Sequence, residues 1–156
     1  MKKGLPVTDP FPFYREQHLH DGPIYRAPAD AVASWQELAE QVEEELTRMG
    51  FTASVVPNGD PQGLPSGARI WVHKIEPFGV ALDWEAPVVA TPEFAETVVA
   101  QELFTGLFAY VVNAKEIIIR ALLDVLREAG FRVLIDHAGG RTYNYRVLEA
   151  PRVPRT

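Results

Sequence analysis

The chain carries one short pattern twice. Residues 38–56 read LAEQVEEELTRMGFTASVV, and residues 118–136 read IIRALLDVLREAGFRVLID. In both, apolar residues recur at helical spacing, a glycine follows (Gly50, Gly130), and a phenylalanine (Phe51, Phe131) opens a short apolar run. Glycine ends a helix readily because it takes a left-handed backbone without steric cost. Each copy then passes through turn-rich residues into a second strand-like segment, ARIWVHKIE from Ala68 and TYNYRVLEA from Thr142. A helix–strand–strand unit used twice constrains the fold strongly: apolar strands need a shared sheet, and the helices need a face of that sheet to cover.

Local signals fill in the rest. Ser34-Trp-Gln-Glu37 and Asn113-Ala-Lys-Glu116 read as capping boxes that open helices, and Thr91-Pro92 reads as a third helix start. The first helix presents Trp35, Leu38, Val42, Leu46 and Met49 on one stripe; the last presents Ile118, Ala121, Leu122, Val125 and Ala129. Residues 92–112 read as a helix that becomes apolar all round, with a strand over 107–112 as the alternative. Strands are expected at 51–56, 68–75, 78–84, 131–136 and 142–148. Short connections imply antiparallel pairing, with 57–67 as a long hairpin loop. The expected fold is α+β: about five antiparallel strands with two or three helices on one face, in the order α-βββ-αα-ββ. Residues 1–29 hold five prolines, Pro6, Pro10, Pro12, Pro23 and Pro28. They read as an extended arm with neither helix nor central strand, pinned against the domain by Phe11, Phe13 and Tyr14; 30–150 read as one domain and 151–156 as a tail.

Over residues 31–148 this element order resembles the secretion-chaperone type of fold, whose members are small, acidic and dimeric. The terminal helix of that fold is missing here, where the chain runs into PRVPRT. The resemblance implies a protein-binding, dimeric role.

Composition narrows the chemistry. The absence of cysteine excludes disulfides, thiolate metal sites and thiol nucleophiles. The net charge of −6 and scattered arginines argue against nucleic acid, which needs clustered cations. The acidic run Glu40, Glu43, Glu44 and Glu45 could attract a basic protein partner, or simply face water. No signal peptide or membrane span is legible, so a cytoplasmic location is expected.

No cofactor motif is present, and none is expected. His18-Leu-His20 in an extended conformation would point two imidazoles one way, and His137 could complete a metal site; a small metal-dependent hydrolase is the alternative this offers. Asp83 and Glu85 share a strand face and could divide acid and base roles. The open sheet face is the stronger candidate. If Ile70, Val72, Val80, Leu82 and Val147 face the helices, then Trp71, His73, Asp83, Arg132 and Arg146 face outward. Tryptophan and arginine are enriched at binding hot spots. Leu103, Leu107, Phe108 and Val111 form surplus apolar surface suited to self-association. The expected function is therefore a non-catalytic protein-binding domain: chaperone-like, toxin-neutralising or an assembly component.

Overall fold

The computed structural model describes residues 6–100, 106–137 and 143–152. Both copies of the repeated pattern end their helices in the same way. Helix α2 (Ala29–Arg48) and helix α4 (Gly106–Glu128) each run into a glycine at positive φ, +99° at Gly50 and +103° at Gly130. The Gly50 N–H donates to Thr47 O and the Phe51 N–H to Leu46 O; Gly130 and Phe131 repeat this onto Arg127 O and Leu126 O. That pair of bonds is the Schellman motif, which satisfies carbonyls the helix would otherwise leave open. The phenylalanine then turns the chain into an edge strand, β1 (Ala53–Val55) in the first copy and β4 (Arg132–His137) in the second.

The sheet is five-stranded, ordered β1-β2-β3-β5-β4, with β2 at Gly67–His73, β3 at Gly79–Glu85 and β5 at Tyr143–Glu149. The fold class is α+β, as expected, but the sheet is mixed. β1 pairs parallel to β2, with Ala53 opposite Ala68, so residues 57–67 are a return connection and not a hairpin. A 3₁₀ turn over Pro57–Gly59 ends β1, and the chain comes back to place Gly67 beside Thr52. Any side chain at Gly67 would collide with the Thr52 carbonyl oxygen, which accepts from the Ala68 N–H. Glycine is what lets the two strand starts meet. The outward Val55 N–H of β1 donates to the Glu43 carboxylate of α2 at 2.8 Å, which blunts that edge against foreign strands.

Helices α2 and α4 cover one face. The core between them and the sheet contains Trp35, Leu38, Val42 and Leu46 of α2, Ile70, Val80, Leu82 and Val147 of the sheet, and Ile119, Leu122, Leu123 and Leu126 of α4. The α4 stripe is thus rotated from the expected one: Ala121 is exposed and Leu123 and Leu126 are buried. The runs Ile117-Ile118-Ile119 and Ala121-Leu122-Leu123 offer adjacent apolar stripes, and the sheet takes the bulkier one. Met49, expected in the α2 stripe, is 57% exposed.

Two helix starts also differ from the expected ones. α2 begins after Pro28, five residues before Ser34, because three of residues 29–33 are alanine, Asp30 suits a helix first turn, and Ala31 lies on the buried stripe. Ser34 is buried and donates back to Ala31 O at 2.7 Å. Asn113 is interior to α4, which starts at Gly106, so residues 107–112 are helical. Thr91 does cap helix α3 (Pro92–Val99): its hydroxyl accepts from the Phe94 N–H, with Pro92 at the first helical position.

The N-terminal segment is the largest departure. It is not an extended arm but contains helix α1 (Pro12–His18), with Pro12 in the first turn, where its missing N–H does no harm. Phe13, Tyr14 and Tyr25 ring Phe78, which is fully buried, at centroid distances of 5.8, 5.4 and 5.9 Å. The indole of Trp35 donates to Thr8 O at 2.8 Å, and the Thr8 N–H donates to Ser34 Oγ at 3.1 Å. The segment therefore packs against the core, with Phe13, Tyr14 and Tyr25 half-buried on it.

The two helix-ending glycines make a matched test. Gly50→Ala should cost about 1 kcal/mol, from the left-handed backbone alone. Gly130→Ala should cost more, because its Cβ would also lie 3.2 Å from Pro151 Cβ. Equal costs in urea titrations of the two variants would contradict that assignment.

Candidate functional site

The face of the sheet turned away from α2 and α4 is polar, and a single residue organises one half of it. Arg146 of β5 is 1% exposed. Its Nε donates to Asp136 Oδ2 at 2.9 Å, Nη1 to Phe78 O at 2.6 Å, and Nη2 to both Tyr14 Oη and Pro77 O at 2.8 Å. The Phe11 ring lies over the guanidinium, 5.0 Å from its carbon. A buried cation needs this many partners, since desolvation is costly unless charge and every N–H are met. Arg146 thus belongs to the interior and ties β5, β4, the β2–β3 turn and α1 together.

The same residues wall a cleft of about 670 Å³, lined by Phe11, Tyr14, Glu76, Pro77, Asp136, His137 and Asn144. Burial raises the Tyr14 phenol pKa above its ordinary value, with the Arg146 charge opposing, so the hydroxyl stays neutral. It donates to Pro77 O at 3.0 Å while accepting from Arg146. Asp136 and Asn144 stand directly opposite each other on β4 and β5. Asp136 uses one oxygen on Arg146, and its Oδ1 is buried with no partner; so is Asn144 Nδ2.

On the other half of this face, Trp71 and His73 of β2 stack nearly parallel, 6.0 Å apart with 3° between planes. Burial lowers the His73 pKa, and the Arg146 charge lowers it further. Arg69, two residues before Trp71, lies 3.6 Å from Glu85, but its Nε is buried and unpaired. Asp83 pairs with Lys115 of α4 at 3.0 Å. Asp83 and Glu85 therefore have separate cations, which does not set up an acid–base pair. Arg132 is exposed and pairs with Glu149 at 3.4 Å.

Of the outward-facing set, Trp71 and His73 lie together on β2, Asp83 is drawn to Lys115 of α4, and Arg146 is withdrawn from the surface by its partners. Phe11 and Tyr14, two of the aromatics expected to pin the N-terminal arm against the domain, also belong to this site. They reach the site through a short helix with no apolar period, so only the aromatic residues themselves hinted at it.

The histidines are not arranged as the metal reading requires. His18 ends α1 and Leu19 is also helical, so positions 18 and 20 point apart instead of together. His20 packs on Tyr25 and His137 on Tyr143. Among the described residues no three His, Asp or Glu side chains are grouped to hold a metal ion. Nor is any described helix long and apolar enough to cross a membrane.

The apolar set on α4 is also partly spent within the chain. Phe108 stacks on Phe94 of α3 at 5.6 Å, Val111 is buried and Leu107 half-buried. Leu103 lies outside the described residues. In the acidic run, Glu43 is used on β1 and Glu45 on Arg48 at 2.8 Å, leaving Glu40 and Glu44 exposed.

No protein-family model, curated protein or solved structure matches this chain.

The depressed His73 pKa has a definite consequence. Below about pH 6.5 the unfolded chain takes up a proton that the folded chain refuses, so stability falls as pH drops below that value. His73→Gln should flatten the dependence of the unfolding midpoint between about pH 6.5 and 5. An unchanged slope would show that His73 titrates normally.

Proposed function

We propose that this chain is a non-catalytic binding domain that docks a partner protein on the open face of its sheet. One observation carries the reading. The three buried side-chain atoms without a hydrogen-bond partner among the described residues are Arg69 Nε, Asp136 Oδ1 and Asn144 Nδ2. By strand alternation all three belong to the open face.

Each such atom costs about 1–3 kcal/mol if left unsatisfied. A partner that supplies the missing groups recovers this on binding. Asp136 Oδ1 asks for a donor, while Asn144 Nδ2 and Arg69 Nε ask for acceptors. A polypeptide backbone offers both kinds at every residue. Trp71 beside them provides the aromatic anchor that binding hot spots favour, and the cleft next to Arg146 gives a side chain somewhere to enter. A chaperone, a toxin-neutralising protein and an assembly component could each use such a surface.

This reading makes a prediction that needs no knowledge of the partner. A residue kept for binding at the expense of folding is stabilised by its removal. Asn144→Val should raise stability by about 1 kcal/mol, or the melting temperature by roughly 2–4 °C; Arg69→Met also removes the cation of Glu85 and is read for binding alone. The same variants, and Trp71→Ala, should weaken capture of the protein that co-purifies with wild type about tenfold or more. If Asn144→Val instead destabilises the fold, its amide is structurally satisfied and the proposal loses its support.

A further inference from the structure

Helix α4 buries one stripe and leaves an apolar seam on the opposite side. Its buried residues are Val111, Ile119, Leu122, Leu123 and Leu126. At about 100° of rotation per residue, Tyr110, Ala114, Ile117 and Ala121 fall on the far side. Their spacing of four, three and four residues is that of a coiled-coil seam. Tyr110 and Ile117 are each 68% exposed, Ala121 is exposed and Ala114 half-buried. Along this seam the side chains alternate large, small, large, small.

We propose that the seam packs against the same seam of a second copy of this chain, with the two α4 helices antiparallel. The occupant is chosen by self-complementarity. With a twofold axis passing between Lys115 and Glu116, Tyr110 of one copy faces Ala121 of the other, and Ala114 faces Ile117. Every large side chain then meets a small one, which is what an isologous interface demands. Parallel pairing would set Tyr110 against Tyr110 and leave a gap between the two Ala121 methyls.

Charge selects the same orientation. The seam continues into Asp124 and Glu128, both acidic, near the helix C-terminus. A parallel pair would set Asp124 against Asp124 and Glu128 against Glu128, with Arg127 neutralising only the former, at 2.7 Å. The antiparallel pair brings Asp124, 70% exposed, to the first turn of the other α4, which holds no acidic residue and carries the positive end of the helix dipole. From Tyr110 to Ala121 the seam spans about 16 Å. Such an interface is small, and the dimer it forms is a weak one. This is a different surface from the sheet face and does not depend on its role.

The absence of cysteine in the native chain makes the test direct. A mixture of Tyr110→Cys and Ala121→Cys chains should form a mixed disulfide on oxidation. Neither variant should cross-link to itself, because like positions lie about 16 Å apart, well beyond the roughly 7 Å limit for bridging. In sedimentation equilibrium, Ile117→Glu should raise the dissociation constant at least tenfold. Its unfolding transition should be unchanged, because the side chain is exposed. The exchange Ala114→Ile with Ile117→Ala should restore dimerisation that Ala114→Ile alone weakens. A wild-type protein that stays monomeric to about 0.5 mM would overturn the proposal. So would self-linked Tyr110→Cys chains, or a dimer indifferent to Ile117→Glu.

Discussion

The guanidinium of Arg146 sits where four parts of the chain converge, and each supplies something it needs. Asp136 brings the countercharge, the Pro77–Phe78 turn brings two carbonyls, α1 brings the Tyr14 hydroxyl, and Phe11 covers the ring of charge. The partners are 10 to 132 residues away in sequence. On the other side of the same turn, Phe78 holds a backbone φ of +57°, a conformation a bulky residue seldom adopts. Three aromatic rings and the bond to its carbonyl fix it there. Removing any one partner would leave a buried charge or carbonyl unmet, so this cluster acts as one unit.

That unit also shapes the binding face. Because Arg146 takes one oxygen of Asp136 and fixes its side chain, the second oxygen stays buried without a partner on the strand position opposite Asn144. Position and deficit arise together: the interaction that stabilises the fold leaves an unsatisfied acceptor in a defined place. Trp71 and His73 extend the same face across β2, and His73 feels the Arg146 charge. Burial of one arginine thus links the N-terminal segment, the β2–β3 turn and the proposed docking surface.

Local periodicity made much of this legible. The Gly-Phe junctions, the five strands, the Thr91 cap and the inward–outward alternation that separates Val80 and Val147 from Trp71 and Arg146 all follow from neighbours in sequence. What escaped depends on contacts between distant residues. α1 has no apolar stripe and is held by Phe13 and Tyr14 packing on Phe78. The parallel pairing of β1 hangs on Gly67 meeting Thr52. Ser34-x-x-Glu and Asn113-x-x-Glu match capping boxes but fall inside longer helices. An arginine on an alternating strand reads as surface, and only the folded partners of Arg146 reveal otherwise. The unpaired atoms at Arg69, Asp136 and Asn144 are invisible to sequence for the same reason: a missing partner is a three-dimensional fact.

Everything in this fold rests on the N-terminal segment being packed onto the core and locked there by Arg146 and Phe78. Equilibrium urea unfolding of a chain lacking residues 1–20, followed by tryptophan fluorescence, tests it most directly. That deletion strips Trp35 of its Thr8 acceptor, Phe78 of two aromatic neighbours and Arg146 of the Tyr14 hydroxyl. Loss of the cooperative transition, or a midpoint lowered so far that the native baseline disappears, is the result expected. A truncated chain that unfolds with the wild-type midpoint and slope would contradict the account.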